Sequence, residues 1–243
     1  MDILVTGGTG TLGRALVERL RHDGQAPRVL SRSAGEGRDV GDLRSGAGID
    51  DAVRGADVIV HCATAPRGDA DTTRTLVDAA ARAGRPHLLY VSIVGIEGVP
   101  LPYYRGKLAA ERVVAGGPLP WTILRATQFH DLLATMFAAG SRTGVLPVPA
   151  GTPFQPVDVT DVAARLAELA VGPAAARVAD LGGPQVRDVA DLGRAWLAAT
   201  GRRRRVVGLR LPGKIARGFR SGAHTAPEHA DGTVTFEQYL ARS

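Results

Sequence analysis

Short apolar runs alternate along the chain with longer amphipathic runs of helical period. Ile3-Leu4-Val5 is the first apolar run, and residues 12–21 follow with Leu12, Ala15, Leu16 and Leu20 on one face, the spacing of an amphipathic helix. The same rhythm predicts strands at 28–31, 38–40, 57–61, 87–92 and 121–125. Between them it predicts helices at 50–54, at 70–83 ending on Gly84, and at 103–115 stopped by Gly116-Gly117-Pro118. Strand–helix alternation of this kind is the pattern of a parallel sheet covered by helices. The expected class is α/β with a doubly wound parallel sheet.

After Arg125 the rhythm loosens. A helix is predicted at 129–139, then a Pro- and Gly-rich stretch at 144–155 with short strand candidates. A helix follows at 159–171, a strand at 177–181, a helix at 189–199 and a strand at 204–209; the polar, turn-rich stretch 221–232 reads as a mobile loop. Asp158 reads as a cap for the helix beginning at 159. The expected organisation is a dinucleotide-type domain over 1–127 and a smaller, substrate-capping lobe over 128–243, interwoven with the first.

Composition narrows the classes. The chain has 243 residues, 44% hydrophobic and 22% charged, an ordinary globular balance with length enough for a sizeable core. No stretch approaches the roughly 20 apolar residues of a membrane helix, and the first apolar run lacks a basic flank of the secretory type. The single Cys62 has no partner for an internal disulfide and suits a reducing compartment, so a cytoplasmic protein without a membrane partner is expected. The net charge of +6 is scattered apart from Arg202-Arg203-Arg204-Arg205, which reads as the solvated start of a strand. No nucleic-acid-binding motif accompanies it, and no nucleic-acid partner is expected. His61, Cys62, His87 and His130 have no metal-ligand spacing, so no metal site is expected.

The most informative stretch is Thr6-Gly7-Gly8-Thr9-Gly10-Thr11-Leu12-Gly13. Gly7, Gly10 and Gly13 form G-x-x-G-x-x-G between a strand and a helix. Glycine permits the tight turn and lets backbone approach a pyrophosphate, and the helix N-terminus supplies unpaired N–H groups and a positive dipole end. This is a Rossmann-type phosphate site. At the end of the second strand stand Ser31, Arg32 and Ser33, with no acid until Glu36. A guanidinium and two hydroxyls suit a 2′-phosphate better than a free ribose hydroxyl, so NADP(H) is the expected cofactor. Ala63 and Thr64, at the end of the fourth strand, should border it.

These residues resemble the short-chain dehydrogenase/reductase superfamily, and more closely its atypical NmrA-like branch of NAD(P)H-binding proteins. Besides the glycine turn, the likeness rests on Gly41-Asp42-Leu43, Tyr90-Val91-Ser92, the segment Tyr103-Tyr104-Arg105-Gly106-Lys107, and the segment from Trp121 to Phe129. Phe154-Gln155-Pro156-Val157-Asp158 and Gly232-Thr233-Val234-Thr235-Phe236 extend it over nearly the whole chain. The resemblance implies that Asp42 and Leu43 approach the adenine. It also implies that Ser92, Tyr103 and Lys107 form a catalytic trio, with Ser92 on the substrate oxygen and Lys107 on the nicotinamide ribose.

Tyr103 and Lys107 are four residues apart and share a helix face. An ammonium there is expected to lower the tyrosine pKa and favour proton exchange. Tyr104, three residues from Lys107, is a second candidate for the same role or a substrate contact, and either tyrosine can instead pack on the sheet. Gln128, Phe129 and His130 follow the sixth strand and are candidates to line a substrate pocket, with a solvent-facing His130 as the alternative. The expected function is an NADP(H)-dependent oxidoreductase reducing a small carbonyl or related unsaturated substrate, as a monomer or homodimer. A non-catalytic NADP(H)-binding regulator and a nicotinamide-dependent epimerase or dehydratase are the alternatives.

Overall fold

The computed structural model describes residues 1–65 and 67–242. Its first half follows the predicted rhythm: β1 (Ile3–Thr6), α1 (Thr11–His22), β2 (Arg28–Ser31), β3 (Arg38–Val40), α2 (Ile49–Val53), β4 (Val58–His61), α3 (Asp69–Arg82), β5 (His87–Ile93), α4 (Pro102–Ala115) and β6 (Trp121–Ala126). α5 (His130–Gly140), β7 (Val145–Pro149), β8 (Pro153–Phe154), α6 (Val159–Val171), β9 (Ala176–Arg177), β10 (Arg187–Asp188), α7 (Val189–Ala199), β11 (Arg205–Leu209), α8 (Lys214–Arg220) and α9 (Phe236–Leu240) complete the chain.

Seven strands form one sheet in the order β3-β2-β1-β4-β5-β6-β9. Consecutive strands run outward from β1 in one direction and from β4 in the other, so the topological switch point lies between β1 and β4. These two pair in parallel from Ile3↔Val58 to Thr6↔His61, and both are buried throughout. That burial on both faces explains why they read as unbroken apolar runs. In an open parallel sheet, ligands bind outside the carboxyl ends of the strands at this point. The fold is the Rossmann-type α/β sheet expected from the pattern.

The chain divides into two compact units. The first comprises 1–92, 102–125 and 162–179, and the second 93–101, 126–161 and 180–243. The core of the first is mostly aliphatic, built on Leu4, Ile59, Leu76 and Leu88, with Tyr90 as its buried aromatic residue. That of the second is rich in aromatics, with Phe137, Phe154, Trp196 and Phe236 packed among Leu133, Leu146 and Leu192. In the second unit β8 pairs antiparallel with β10, and β7 pairs parallel with β11.

Two expectations fail here. The strand at 177–181 shrinks to β9, with Leu181 in a single bridge to Ala126. The stretch 221–232 is built into the second unit rather than being a mobile loop. The buried Gln155 side chain donates to the Ala226 carbonyl at 3.0 Å and accepts from its N–H at 2.7 Å. His224 packs edge-on at 4.7 Å to both Phe154 and Phe219. Polar composition concealed that a distant amide satisfies the loop backbone. α9 was also unforeseen, although Thr235 and Gln238 form a capping box at its start. Among the described residues, no helix is long and apolar enough to cross a membrane.

Candidate functional site

The turn after β1 is glycine-rich for two separable reasons. Gly7 has φ +67°, and a Cβ on it would stand 2.6 Å from the Ala63 nitrogen; one on Gly13 would stand 2.2 Å from the Gly7 carbonyl oxygen. These two glycines seat α1 against the ends of β1 and β4. Gly10 caps α1 without a side-chain hydrogen bond, and the first turn of α1 carries no acidic residue. Its N–H groups and the positive end of the helix therefore stay available to an anion.

A cavity of about 480 Å³ opens over this turn, within the first unit. Of the residues expected at a cofactor, Gly7, Gly10, Ser31, Arg32, Asp42, Leu43, Ala63 and Thr64 line it. Thr9, Arg44 and Cys62 join them, unforeseen from sequence. Thr6, Thr11, Leu12, Gly13 and Ser33 stand outside the lining. Leu12 and Gly13 are buried and Thr11 exposed, while the Ser33 N–H donates to Ser31 Oγ at 3.2 Å. Arg32 is exposed. An uncapped helix end, glycine backbone and a guanidinium at the rim fit the phosphates of a dinucleotide.

Beneath the cavity lies a buried polar cluster of which the sequence singled out Thr6 and Lys107 as site residues, but not Asp69, His61 or Tyr90. Lys107 Nζ donates to the Tyr90 hydroxyl and to the Val91 carbonyl, each at 3.1 Å. Tyr90 donates to Asp69 Oδ2 at 2.9 Å, and that oxygen lies 3.5 Å from Lys107 Nζ. The other Asp69 oxygen accepts from the Ala65 N–H at 2.8 Å. His61 hydrogen-bonds Thr6 Oγ1 at 2.6 Å and Thr73 Oγ1 at 3.2 Å, and its ring lies 5.4 Å from that of Tyr90. Asp69 is the first residue of α3, whose N-cap is Gly68 without a side-chain hydrogen bond.

Burial and charge set the protonation states here. Burial pushes Asp69 upward, but Lys107, the Ala65 N–H and Tyr90 outweigh it and hold the carboxyl below its ordinary range. Burial lowers Lys107 against the opposing pull of Asp69. His61 drops to about 4, through burial first and then Lys107, so it is neutral near pH 7. Cys62 is pushed up to about 12 by burial and is a poor nucleophile.

Tyr103 is half-buried, and its hydroxyl shares a hydrogen bond with Thr64 Oγ1 at 3.1 Å. Burial raises its pKa, aided by Asp69 and opposed by the Thr64 bond. The lowering expected from Lys107 is not realised, because the ammonium is engaged by Tyr90, Val91 and Asp69. Ser92 is buried, and its Oγ has no hydrogen-bond partner among the described residues. Tyr104 is buried. In the second unit, Gln128 is buried, and its carbonyl accepts from the Val157 N–H at 2.9 Å. Phe129 precedes α5 and bridges Val157. His130 is fully buried, bonded to the Val234 carbonyl at 3.0 Å and stacked on Tyr239, which removes the solvent-facing alternative. Asp158 Oδ1 accepts from the Thr160 N–H at 2.8 Å, as a cap does.

A parallel sheet with a glycine turn and an uncapped helix at its switch point defines a dinucleotide-binding protein. Residues 7–171 match the model of an NAD(P)H-binding family, and the chain belongs to that family. It is 30% identical over 217 residues to a ceramide reductase of Caulobacter vibrioides, covering 80% of this chain and 67% of that protein. It is 33% identical over 174 residues to a (4-alkanoyl-5-oxo-2,5-dihydrofuran-3-yl)methyl phosphate reductase of Streptomyces griseus, covering 67% of this chain and 60% of that protein. In fold it is similar to an NADPH-dependent quinone oxidoreductase of Escherichia coli solved with NADPH, at a TM-score of 0.84 and 18% identity over 99% of each chain.

Proposed function

We propose that the protein is an NADP(H)-dependent reductase acting on a small carbonyl or related unsaturated compound. The observation that carries this reading is the Tyr103 hydroxyl, bonded at 3.1 Å to the cavity-lining Thr64 and kept protonated by burial. A protonated tyrosine is the state a reduction needs, because the substrate must gain a proton as well as a hydride. Names of similar proteins support the same class.

In this reading the glycine turn and the N-terminus of α1 hold the pyrophosphate, and Arg32 with Ser31 and Ser33 holds the 2′-phosphate. When bound, the nicotinamide supplies the hydride. Ser92 Oγ, buried without a partner, donates to the substrate oxygen. Tyr103 passes its proton to the same oxygen, and Lys107, one helical turn away and bonded to Tyr90 and Val91, is placed for the ribose of the nicotinamide. Gln128 and Phe129 stay candidates for substrate contact; the buried Tyr104 and His130 suit it less.

The test is NADPH consumption, followed by absorbance, over a panel of quinones, azo dyes and small carbonyl compounds. Turnover is expected on at least one class, and Tyr103→Phe should lower it by about 10²–10⁴-fold while leaving NADPH affinity unchanged. Cofactor binding with no consumption on any compound overturns this in favour of a regulatory NADP(H)-binding protein. Nicotinamide that copurifies and is not consumed points to an epimerase or dehydratase.

A further inference from the structure

The small sheet of β7 and β11 is apolar on both faces. Leu146, Val148 and Val206 point into the aromatic-rich core of the second unit. On the other face, Val145, Pro147 and Pro149 lie in register with Arg205, Val207 and Leu209. A sheet with one face in water ordinarily carries polar residues there; this face carries five apolar side chains and one arginine. Val207 and Leu209 are 39% and 45% exposed, and Leu211 at 46% and Ile215 at 38% continue the apolar character past the strand.

The same segment is uniformly cationic. Residues 202–220 contain eight arginines and lysines and no aspartate or glutamate. Among the described residues none of the eight is ion-paired. Arg202 lies over the Trp196 ring at 5.3 Å and Arg220 donates to the Leu211 carbonyl. Arg203, Arg204, Arg205, Arg210 and Lys214 are exposed.

We infer that this face adsorbs the protein to an anionic phospholipid surface, with Val207, Leu209 and Leu211 entering the interface and the arginines engaging lipid phosphates. A second copy of the chain covers the face poorly, because symmetric pairing sets one cationic segment against another, and charged residues guard a strand edge against such pairing. A polynucleotide satisfies the cations but leaves the apolar side chains in water. An anionic bilayer surface satisfies both. The inference is independent of the catalytic reading and gives the run from Arg202 to Arg205 a partner, where its sequence suggested only a solvated strand start.

The test is flotation of the full chain with vesicles of phosphatidylcholine alone or of phosphatidylcholine mixed with phosphatidylglycerol. A duplex DNA and a single-stranded RNA oligonucleotide serve as polyanions without an apolar phase. Binding is expected on the phosphatidylglycerol vesicles, weakening as salt rises. Arg203→Ala with Arg204→Ala should weaken it about thirtyfold, and Leu209→Glu with Leu211→Glu should abolish it, with thermal midpoints of both variants near that of the unmodified protein. Absence of flotation on phosphatidylglycerol vesicles overturns the proposal. So does flotation indifferent to the leucine substitutions, or tighter oligonucleotide binding equally indifferent to them. A concentration-dependent dimer that Leu209→Glu dissociates assigns the face to a second copy and overturns it too.

Discussion

α4 carries two buried ion pairs one helical turn apart, and they are built differently. Glu111 meets Arg125 in a two-pronged fork, Nε to Oε1 at 2.7 Å and Nη2 to Oε2 at 2.6 Å. Lys107 meets Asp69 at 3.5 Å, with the Tyr90 hydroxyl bonded to both. A guanidinium–carboxylate fork fixes both partners in one plane, and here it ties α4 to β6. An ammonium is a rotatable point charge with three donors, here beneath the cavity and one turn from Tyr103. Burial is common to both pairs and does not separate structural from functional roles. The geometry of the donors, and what else lies within their reach, does.

Four outcomes would break or sharpen this contrast. The largest is expected from Glu111→Ala, which takes the two-pronged carboxylate away from the buried Arg125 guanidinium. It should cost about 3–5 kcal/mol in urea unfolding without changing cofactor preference, and a loss below about 1 kcal/mol would remove the structural role of the fork.

The second concerns pH, because the Lys107 cluster includes a titrating neighbour. His61 has a folded pKa of about 4 against an ordinary 6.5. The unfolded chain therefore binds more protons between these values. The contribution of His61 is full above pH 6.5 and is lost as pH falls through 4, about 3 kcal/mol in all. Unfolding measured across that range should show this slope, and His61→Asn should flatten it.

Asp69→Asn comes next. With the carboxylate gone, burial acts on Lys107 unopposed by its main partner, so its pKa falls further. The alkaline limb of the pH–rate profile should move to lower pH, whereas Glu111→Gln should leave that limb in place. An unmoved limb would make Asp69 a structural partner only.

The smallest effect lies at the rim of the cavity. Arg32→Glu should lower NADPH affinity about tenfold or more and leave NADH affinity nearly unchanged, as titration of Trp fluorescence or calorimetry would record. Equal affinity of the unmodified protein for both cofactors would withdraw the 2′-phosphate role.

What could be read from the sequence follows the distance over which each feature is encoded. The glycine turn lies within 13 residues of the start, between a strand and a helix whose patterns are themselves local, so the strand–turn–helix element was legible. Lys107 was legible as half of a Tyr–Lys spacing on one helix. Asp69 is 38 residues from Lys107, and their meeting depends on the packing of α3 beside α4, which no local pattern encodes. The two-residue strands β8 and β10 are too short for a period. Gln155 and Ala226 are 71 residues apart, and their mutual bonds are what order a stretch that composition alone read as mobile.

The interleaving of the two units bears on how the chain is made. The first unit includes 162–179, and β9 supplies the strand beyond β6. During synthesis from the N-terminus, the nucleotide-binding sheet therefore waits for residue 177 before its last strand exists. Residues 126–161 of the other unit are translated in the interval. A fragment cut at 127 would expose β6 as a raw edge and lack α6 and β9 altogether, so the first unit cannot be obtained by simple truncation.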